Sequence, residues 1–340
     1  MGIVDDLTPR EGRRHYGVYG VTLETSFAFA NDLLPAEGPA DVRFTCRPRP
    51  PKGPVLPGLR HLGDDPVEIE GLPYCSLLEF DGGHLLRFTQ VADFLLTDRE
   101  IVCYVHDALD PGLVPTLVEL RLLGPTLALW LELHGTLALH ASAVVVDGVA
   151  LGFISHGKGG KTSVAATLLQ RGHTLLTDDL LAVTATSTGP LAHPGFATMR
   201  MWPAEATHFV GGAEHLEIVH PAYEKRRVPV GAAHGFGRTT TESWPLAALY
   251  VLERGERADP RVTLDPVSSR DALPHLLRHS TAPFLSTAGL APARLMRLVG
   301  LLHDVPVRHV RHVTPVDALA DLVDTILADA SKLPAAAVGV

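Results

Sequence analysis

LHASAVVVDGVALGFISHGKGGKT, Leu139–Thr162, followed directly by SVAATLLQRGHTLLTDD, Ser163–Asp179, is the stretch whose reading decides the fold. Thr136–Val146 and Val149–Ser155 read as two apolar strands around an Asp147–Gly148 turn, a dipeptide suited to tight hairpins. Val164, Ala165, Leu168 and Leu169 then recur at helical spacing over Thr162–Arg171, and Gly172 stands where a helix terminator is expected. Thr174–Thr177 is a further short strand.

The turn between strand and helix, SHGKGGKT, is placed where a phosphate-binding loop has to sit. Gly157, Gly159 and Gly160 let successive backbone amides face one anion, and the following helix adds its positive end. Ser155, His156, Gly157, Lys158, Gly159, Gly160, Lys161 and Thr162 are therefore the candidate nucleotide-binding residues. Lys161 would neutralise the β- and γ-phosphates of ATP, and the Thr162 hydroxyl would reach Mg2+. Ser155 stands where the loop pattern has its first glycine, and Lys158 is a second base within the loop; a glycine-rich surface turn is the competing reading.

Asp178 and Asp179 follow at the carboxyl end of the next strand, from which they can return to the loop. One of them would hold the Mg2+ shell while the other accepts a proton from an attacking hydroxyl. Away from such a loop, paired aspartates are usually a solvated turn or a helix cap. His140 lies in the strand before the loop, where a histidine is more often a hydrogen-bonded core residue.

The rest of the composition narrows the classes. A net charge of −9 argues against a general nucleic-acid binder, which needs a surplus of Lys and Arg. Cys46, Cys75 and Cys103 form no CxxC pair and read as reduced structural thiols. The start, MGIVDDLTPREGRRHYG, has no apolar signal core, so a cytoplasmic location is expected. Gly124–Val146 approaches the about 20 apolar residues of a membrane span, but Pro125 and Gly135 split it and a buried helix leading into a hairpin fits better, so no membrane partner is expected. His309–His312 and His275–His279 lack a third ligand and read as surface or capping residues, and no GxSxG elbow supports a hydrolase.

Along the chain, 1–112 reads as a strand-rich N-terminal domain for substrate or partner binding, 113–331 as an α/β catalytic domain, and 332–340 as a frayed tail. The Pro-rich RPRPPKGPVLPG at Arg47–Gly58 reads as a surface loop. A proline-started helix runs from Pro115 toward Leu133. After the aspartates come a strand at Leu180–Thr184, a loop through HPGFATMRMWP at His193–Pro203, and a strand at Leu246–Leu252. Helices at Arg270–Arg278 and Pro292–Leu302, a strand at Val305–Val310 and a helix at Val316–Ala328 complete the pattern.

The interval from His140 to Lys161 and the RGHTLLTDD run at Arg171–Asp179 resemble the catalytic domain of the HPr kinase/phosphorylase family and related bacterial serine kinases. The resemblance covers about the last two-thirds of the chain and is strong over about forty residues. It implies a mixed sheet with a nucleotide core related to phosphoenolpyruvate carboxykinase. Carried over by position, His140 would stabilise transferred charge, Lys161 would bind phosphate, and Thr162 would ligate Mg2+. Asp179, assisted by Asp178, would act as general base. Glu205 lies at about the distance of the family's metal-binding glutamate, so the implied metal ligands are Thr162, Asp178 and Glu205. Lys225 and Arg226, with Arg227, could clamp phosphate or an acidic substrate, or be a solvated basic run.

The family's glycine-rich signature after the acid pair is absent, and LHASAV, MRMWP and KRRVP are similar instead to the branch that includes lasso-peptide precursor kinases. The expected activity is thus transfer of the γ-phosphoryl group of ATP to a serine-type hydroxyl, on a peptide. A small-molecule hydroxyl kinase and a non-catalytic nucleotide sensor or scaffold are the alternatives. Related kinases assemble into rings, which makes a homo-oligomer one of the expected states.

Overall fold

The computed structural model describes residues 12–157, 159–220, 222–255, 262–280 and 291–333. The chain forms two compact units, Met1–Gly135 with Ala282–Arg294, and Thr136–Thr281 with Leu295–Val340. The helical stretch that begins at Val114, assigned by the sequence pattern to the second domain, thus lies in the first unit, and the chain later returns to that unit.

The first unit is built on a nine-stranded sheet. Glu100–Val105 pairs in parallel with Val42–Pro48, and Cys75–Phe80, Gly83–Phe88 and Ala92–Leu96 extend it through antiparallel hairpins. Phe44, Phe88 and Phe94 are buried and in ring contact. Two helices, Val114–Arg121 and Leu127–Leu133, are joined by a wide turn at Leu122–Thr126 in which Gly124 leaves helical geometry ahead of Pro125. The whole run Pro111–Leu133 is long and apolar enough to cross a membrane by composition, yet 61% of its most apolar window is buried inside the protein, as in a core helix. The three cysteines are free thiols, with Cys75 and Cys103 buried.

In the second unit the chain makes β1 (Leu137–Leu139), β2 (Ser142–Val146), β3 (Val149–Ser155), α1 (Lys161–Gln170) and β4 (Thr174–Thr177). Then follow β5 (Leu181–Thr186), β6 (Gly189–His193), β7 (Thr198–Met201), α2 (Pro203–Val210), β8 (Ile218–His220) and β9 (Tyr223–Pro229). The last are β10 (Trp244–Arg254), β11 (Thr263–Val267), α3 (Ser269–Arg278), α4 (Ala291–Asp304, whose first turn belongs to the first unit), β12 (Val307–His312) and α5 (Ala320–Ala330).

The main sheet runs β1-β5-β6-β10-β3-β2-β4, with β12 also on β10 and β11 on β12. It is mixed: β3, β10 and β12 are parallel, while β2 is antiparallel to both β3 and β4. Alternation along β3 sends Leu151 and Phe153 into a core with α1 and α5, and Ala150 and Ile154 into a second core with α3 and α4. Gly152 has no room for a side chain, since a Cβ there would lie 2.6 Å from Leu249. β7, β9 and β8 form a separate small sheet.

Two departures from the sequence pattern matter. The single strand expected at Thr136–Val146 is broken after Leu139, because the His140 amide donates to the His279 carbonyl at 2.7 Å instead of to a neighbouring strand. The loop expected at His193–Pro203 contains β7, which pairs with β9 in the register Arg200↔Arg227.

In the first unit, Arg294 donates through Nε to Glu132 at 3.0 Å, and both side chains are almost fully buried. Removing one member of a buried ion pair strands the other's charge. Arg294→Leu should therefore lower stability by about 3–5 kcal/mol, and pairing it with Glu132→Leu should recover much of the loss. Urea unfolding midpoints of the two variants check this; equal midpoints for single and double variants would contradict it.

Candidate active site

The glycine loop is fixed by steric and hydrogen-bond constraints that the sequence carries. Gly160 has φ 97° and forms the N-cap of α1, a left-handed conformation that side chains resist. Gly159 donates its amide to the His156 carbonyl at 2.9 Å, and a Cβ on it would fall 2.5 Å from that of Ser155. Ser155 itself is buried at the end of β3. Lys161 Nζ turns back to the Ser155 carbonyl at 3.2 Å. Burial pulls the Lys161 pKa below the usual lysine value, against the opposing pull of Asp179 and Asp178. Lys158 lies outside the described residues.

The two aspartates have different surroundings. Asp178 is buried; its Oδ1 accepts from Ser142 Oγ at 2.5 Å and from Thr162 Oγ1 at 3.2 Å, and its Oδ2 accepts from the Arg200 amide at 3.1 Å. Asp179 is half-buried, has φ 82°, and pairs with the Arg200 guanidinium. Burial alone would raise the Asp179 pKa. Arg200, then His140, Lys225 and Lys161 outweigh it and hold the carboxyl well below the usual carboxylate range.

His140 Nδ1 lies 2.8 Å from the Asp179 carbonyl oxygen and 3.4 Å from its Oδ1. A carbonyl can only accept, so Nδ1 carries the proton and a neutral ring leaves Nε2 as an acceptor. Burial lowers the His140 pKa, opposed by Asp179, and so favours that neutral form.

A cavity of about 480 Å³ is lined by His140, Lys161, Thr162, Arg200, Glu205 and Lys225, among others. The structure therefore brings most of the residues singled out from sequence to one place. His156 and Gly157 are exposed on the loop, and Gly157 lines the cavity. Lys225 stands over the Trp202 ring at 5.6 Å. Arg226 does not join them: it pairs in register with Met201, on the face of the β7–β9 ladder that carries the buried Met199, Met201 and Val228. The Glu205 carboxylate accepts from the Ser163 hydroxyl and from the Trp202 amide, the latter at 2.9 Å, which anchors the first turn of α2 to α1.

Arg200 is the site residue that sequence reading passed over. The signal is the base in MRMWP, which the local sequence pattern places in a loop but the fold places in β7, aimed at the acid pair. His312 and His279 were expected on the surface or as caps. His279 does cap the C-terminus of α3, its amide donating to the His275 carbonyl at 3.1 Å, and it is buried with its own carbonyl on His140; His312 is neither, being buried with Nε2 3.3 Å from the Gly159 carbonyl oxygen.

Among the described residues no cluster of three or more His, Cys, Asp or Glu is arranged as a metal cage. Mg2+ does not require one, since it keeps several waters and takes one or two protein oxygens beside phosphate. Thr162 Oγ1 and the Asp178 carboxylate, already adjacent, are such a donor set. The cradle around Gly159 and Gly160, which side chains would fill, fits a phosphate chain.

No protein-family model matches this chain, and no curated protein does. Among solved structures it is similar to the Hpr(Ser) kinase/phosphatase from Coxiella burnetii, at 12% identity and a TM-score of 0.29, over 56% of this chain and 94% of that one. At that score the likeness carries no argument about activity.

The depressed pKa of Asp179 has a consequence for stability. A carboxyl whose folded pKa lies below its unfolded value contributes stability above the unfolded value, and loses it as pH falls toward the folded one. Asparagine tolerates the left-handed conformation at this position. The stability gap between wild type and Asp179→Asn should thus be constant near neutrality and shrink below about pH 4. Urea midpoints from pH 3 to 7 measure it, and a gap independent of pH would remove the Arg200 pairing as its source.

Proposed function

We propose that this chain is an ATP-dependent phosphotransferase that moves the γ-phosphoryl group to a serine-type hydroxyl. The observation that carries the proposal is the convergence, at the end of a glycine loop, of Thr162 on Asp178 and of Lys161, His140 and Arg200 around Asp179.

The loop amides and Lys161 would bind the phosphate chain, so that little reorganisation is needed when charge moves to the leaving oxygen. Thr162 and Asp178 would hold Mg2+, which when bound neutralises charge on the phosphate oxygens. Asp178, engaged by Ser142, Thr162 and the Arg200 amide, is the positioning acid. Asp179 is the proton acceptor. The acceptor oxygen forms its bond to the γ-phosphorus as the bond to the β-bridging oxygen breaks; the hydroxyl proton goes to Asp179, and ADP leaves with the bridging electron pair. A carboxylate paired with a guanidinium is a weak base. It strengthens when Arg200 is drawn to the transferring phosphoryl group, a site that its position in the cavity allows it to reach. His140, neutral at rest, would take up a proton as negative charge accumulates beside it.

A peptide acceptor follows from the resemblance of LHASAV, MRMWP and KRRVP to the peptide-kinase branch. The test is Mg2+-dependent transfer of labelled γ-phosphate to serine-ended peptides and to free hydroxy metabolites. Labelled peptide should be lost in Lys161→Ala and Asp179→Asn, with ATP affinity retained in the second. A fully active Asp179→Asn enzyme overturns the base assignment, and labelled metabolite alone replaces the peptide by a small acceptor. Binding of ATP without transfer to anything returns the chain to the sensor reading.

Arg200→Ala should lower kcat about 100-fold. It should also move the acidic limb of the kcat/KM profile to higher pH, because Asp179 loses the charge that depresses its pKa. An unshifted limb would separate Arg200 from the base.

A further inference from the structure

A second cavity, of about 430 Å³, borders the same loop and shares Gly157, Gly159 and Arg254 with the first. Its lining has a charge imbalance. Arg254 and Arg278 both border it, and among the described residues neither has an ion-pair partner. Against these two guanidinium groups the lining offers one carboxylate, Glu253, which lies 2.6 Å from His309 Nε2.

The cavity also contains a built polar contact point. His279 is 4% exposed, and its Nε2 is fully buried without a hydrogen-bond partner. Its pKa is pushed down to about 3 by burial, then by His156, Lys161, His140 and His275, so the ring is uncharged. A neutral imidazole can donate to an anion without a desolvated charge of its own. A buried nitrogen with no protein partner is costly unless something else supplies the bond.

This wall is tied directly to Asp179. The His279 carbonyl accepts from the His140 amide at 2.7 Å, and the His140 ring bonds the Asp179 carbonyl at 2.8 Å. One residue therefore separates the cavity from the proton acceptor.

We infer that the second cavity is the acceptor's anion subsite: the molecule whose hydroxyl meets Asp179 carries a carboxylate or phosphate that seats between Arg254, Arg278 and His279. The inference rests on the phosphotransferase reading and adds to it the chemical class of the acceptor. An anion here would offset the excess of cations facing the loop from this side and give His279 its missing partner.

The test is calorimetric binding to the full chain saturated with Mg2+ and a non-hydrolysable ATP analogue. The probes are free serine against serinamide, and glycerol 3-phosphate against glycerol, so that the carboxylate and phosphate sources are compared separately. Wild type should bind at least one of the anionic probes at least tenfold more tightly than its neutral counterpart. Arg278→Ala and His279→Gln should each abolish that preference while changing analogue affinity less than twofold. Anion preference that survives both substitutions, or its absence in wild type, overturns the inference and leaves the phosphotransferase reading standing. Failure of the analogue to bind overturns both.

Discussion

The carboxylate of Asp178 is the interaction on which the rest of the second unit's site depends. Its two oxygens hold Ser142 at the start of β2, Thr162 in the first turn of α1 and the Arg200 amide in β7. Those three segments come from different layers, and no backbone ladder joins all of them. A buried carboxylate is tolerable because each oxygen has donors, and the same donors set the distance between the glycine loop and the acid pair. The register shift in β2 between Ala143 and Val144, against β4, brings Ser142 level with the residue after Thr177. The irregularity in the sheet and the polar contact therefore belong together.

The legible parts of the sequence were those in which one local pattern decides the outcome. The β3–loop–α1–β4 run follows from apolar periodicity, three glycines and the Gly172 stop. Gly172 has φ 90° and donates to Leu169 at 3.0 Å, as a helix terminator does. The helices at 269–278 and 320–330 stand close to where periodicity put them. What escaped was non-local. The break at His140 depends on the His279 carbonyl, 139 residues later, and β7 depends on pairing with β9 across α2. A four-residue strand flanked by prolines has too little alternation to be read alone. Arg226 shows the converse error: a basic triplet on a strand cannot act as one patch, because adjacent residues face opposite sides.

Division of labour between two adjacent aspartates is decided by the backbone. Asp178 continues from β4 into the protein, whereas Asp179 has φ 82°, which turns the chain and aims its side chain at the cavity residues His140 and Arg200. A non-glycine residue in that conformation carries a strain of about 1 kcal/mol, which the surrounding bonds must hold. Here they do: His140 secures the Asp179 carbonyl and Arg200 its carboxylate.

The same contacts impose a chemical compromise. Arg200 keeps Asp179 ionised, which a base needs, but depresses its pKa, which weakens a base. Lys161 and Lys225 add to the depression and would be partly neutralised by a bound phosphate chain. On the proposed phosphotransferase reading, Asp179 would gain basicity only when anionic phosphate draws these cations away. A phosphotransferase built this way ties proton abstraction to an occupied loop. That coupling would suppress deprotonation of an acceptor, or of water, when no phosphate is present to receive the nucleophile.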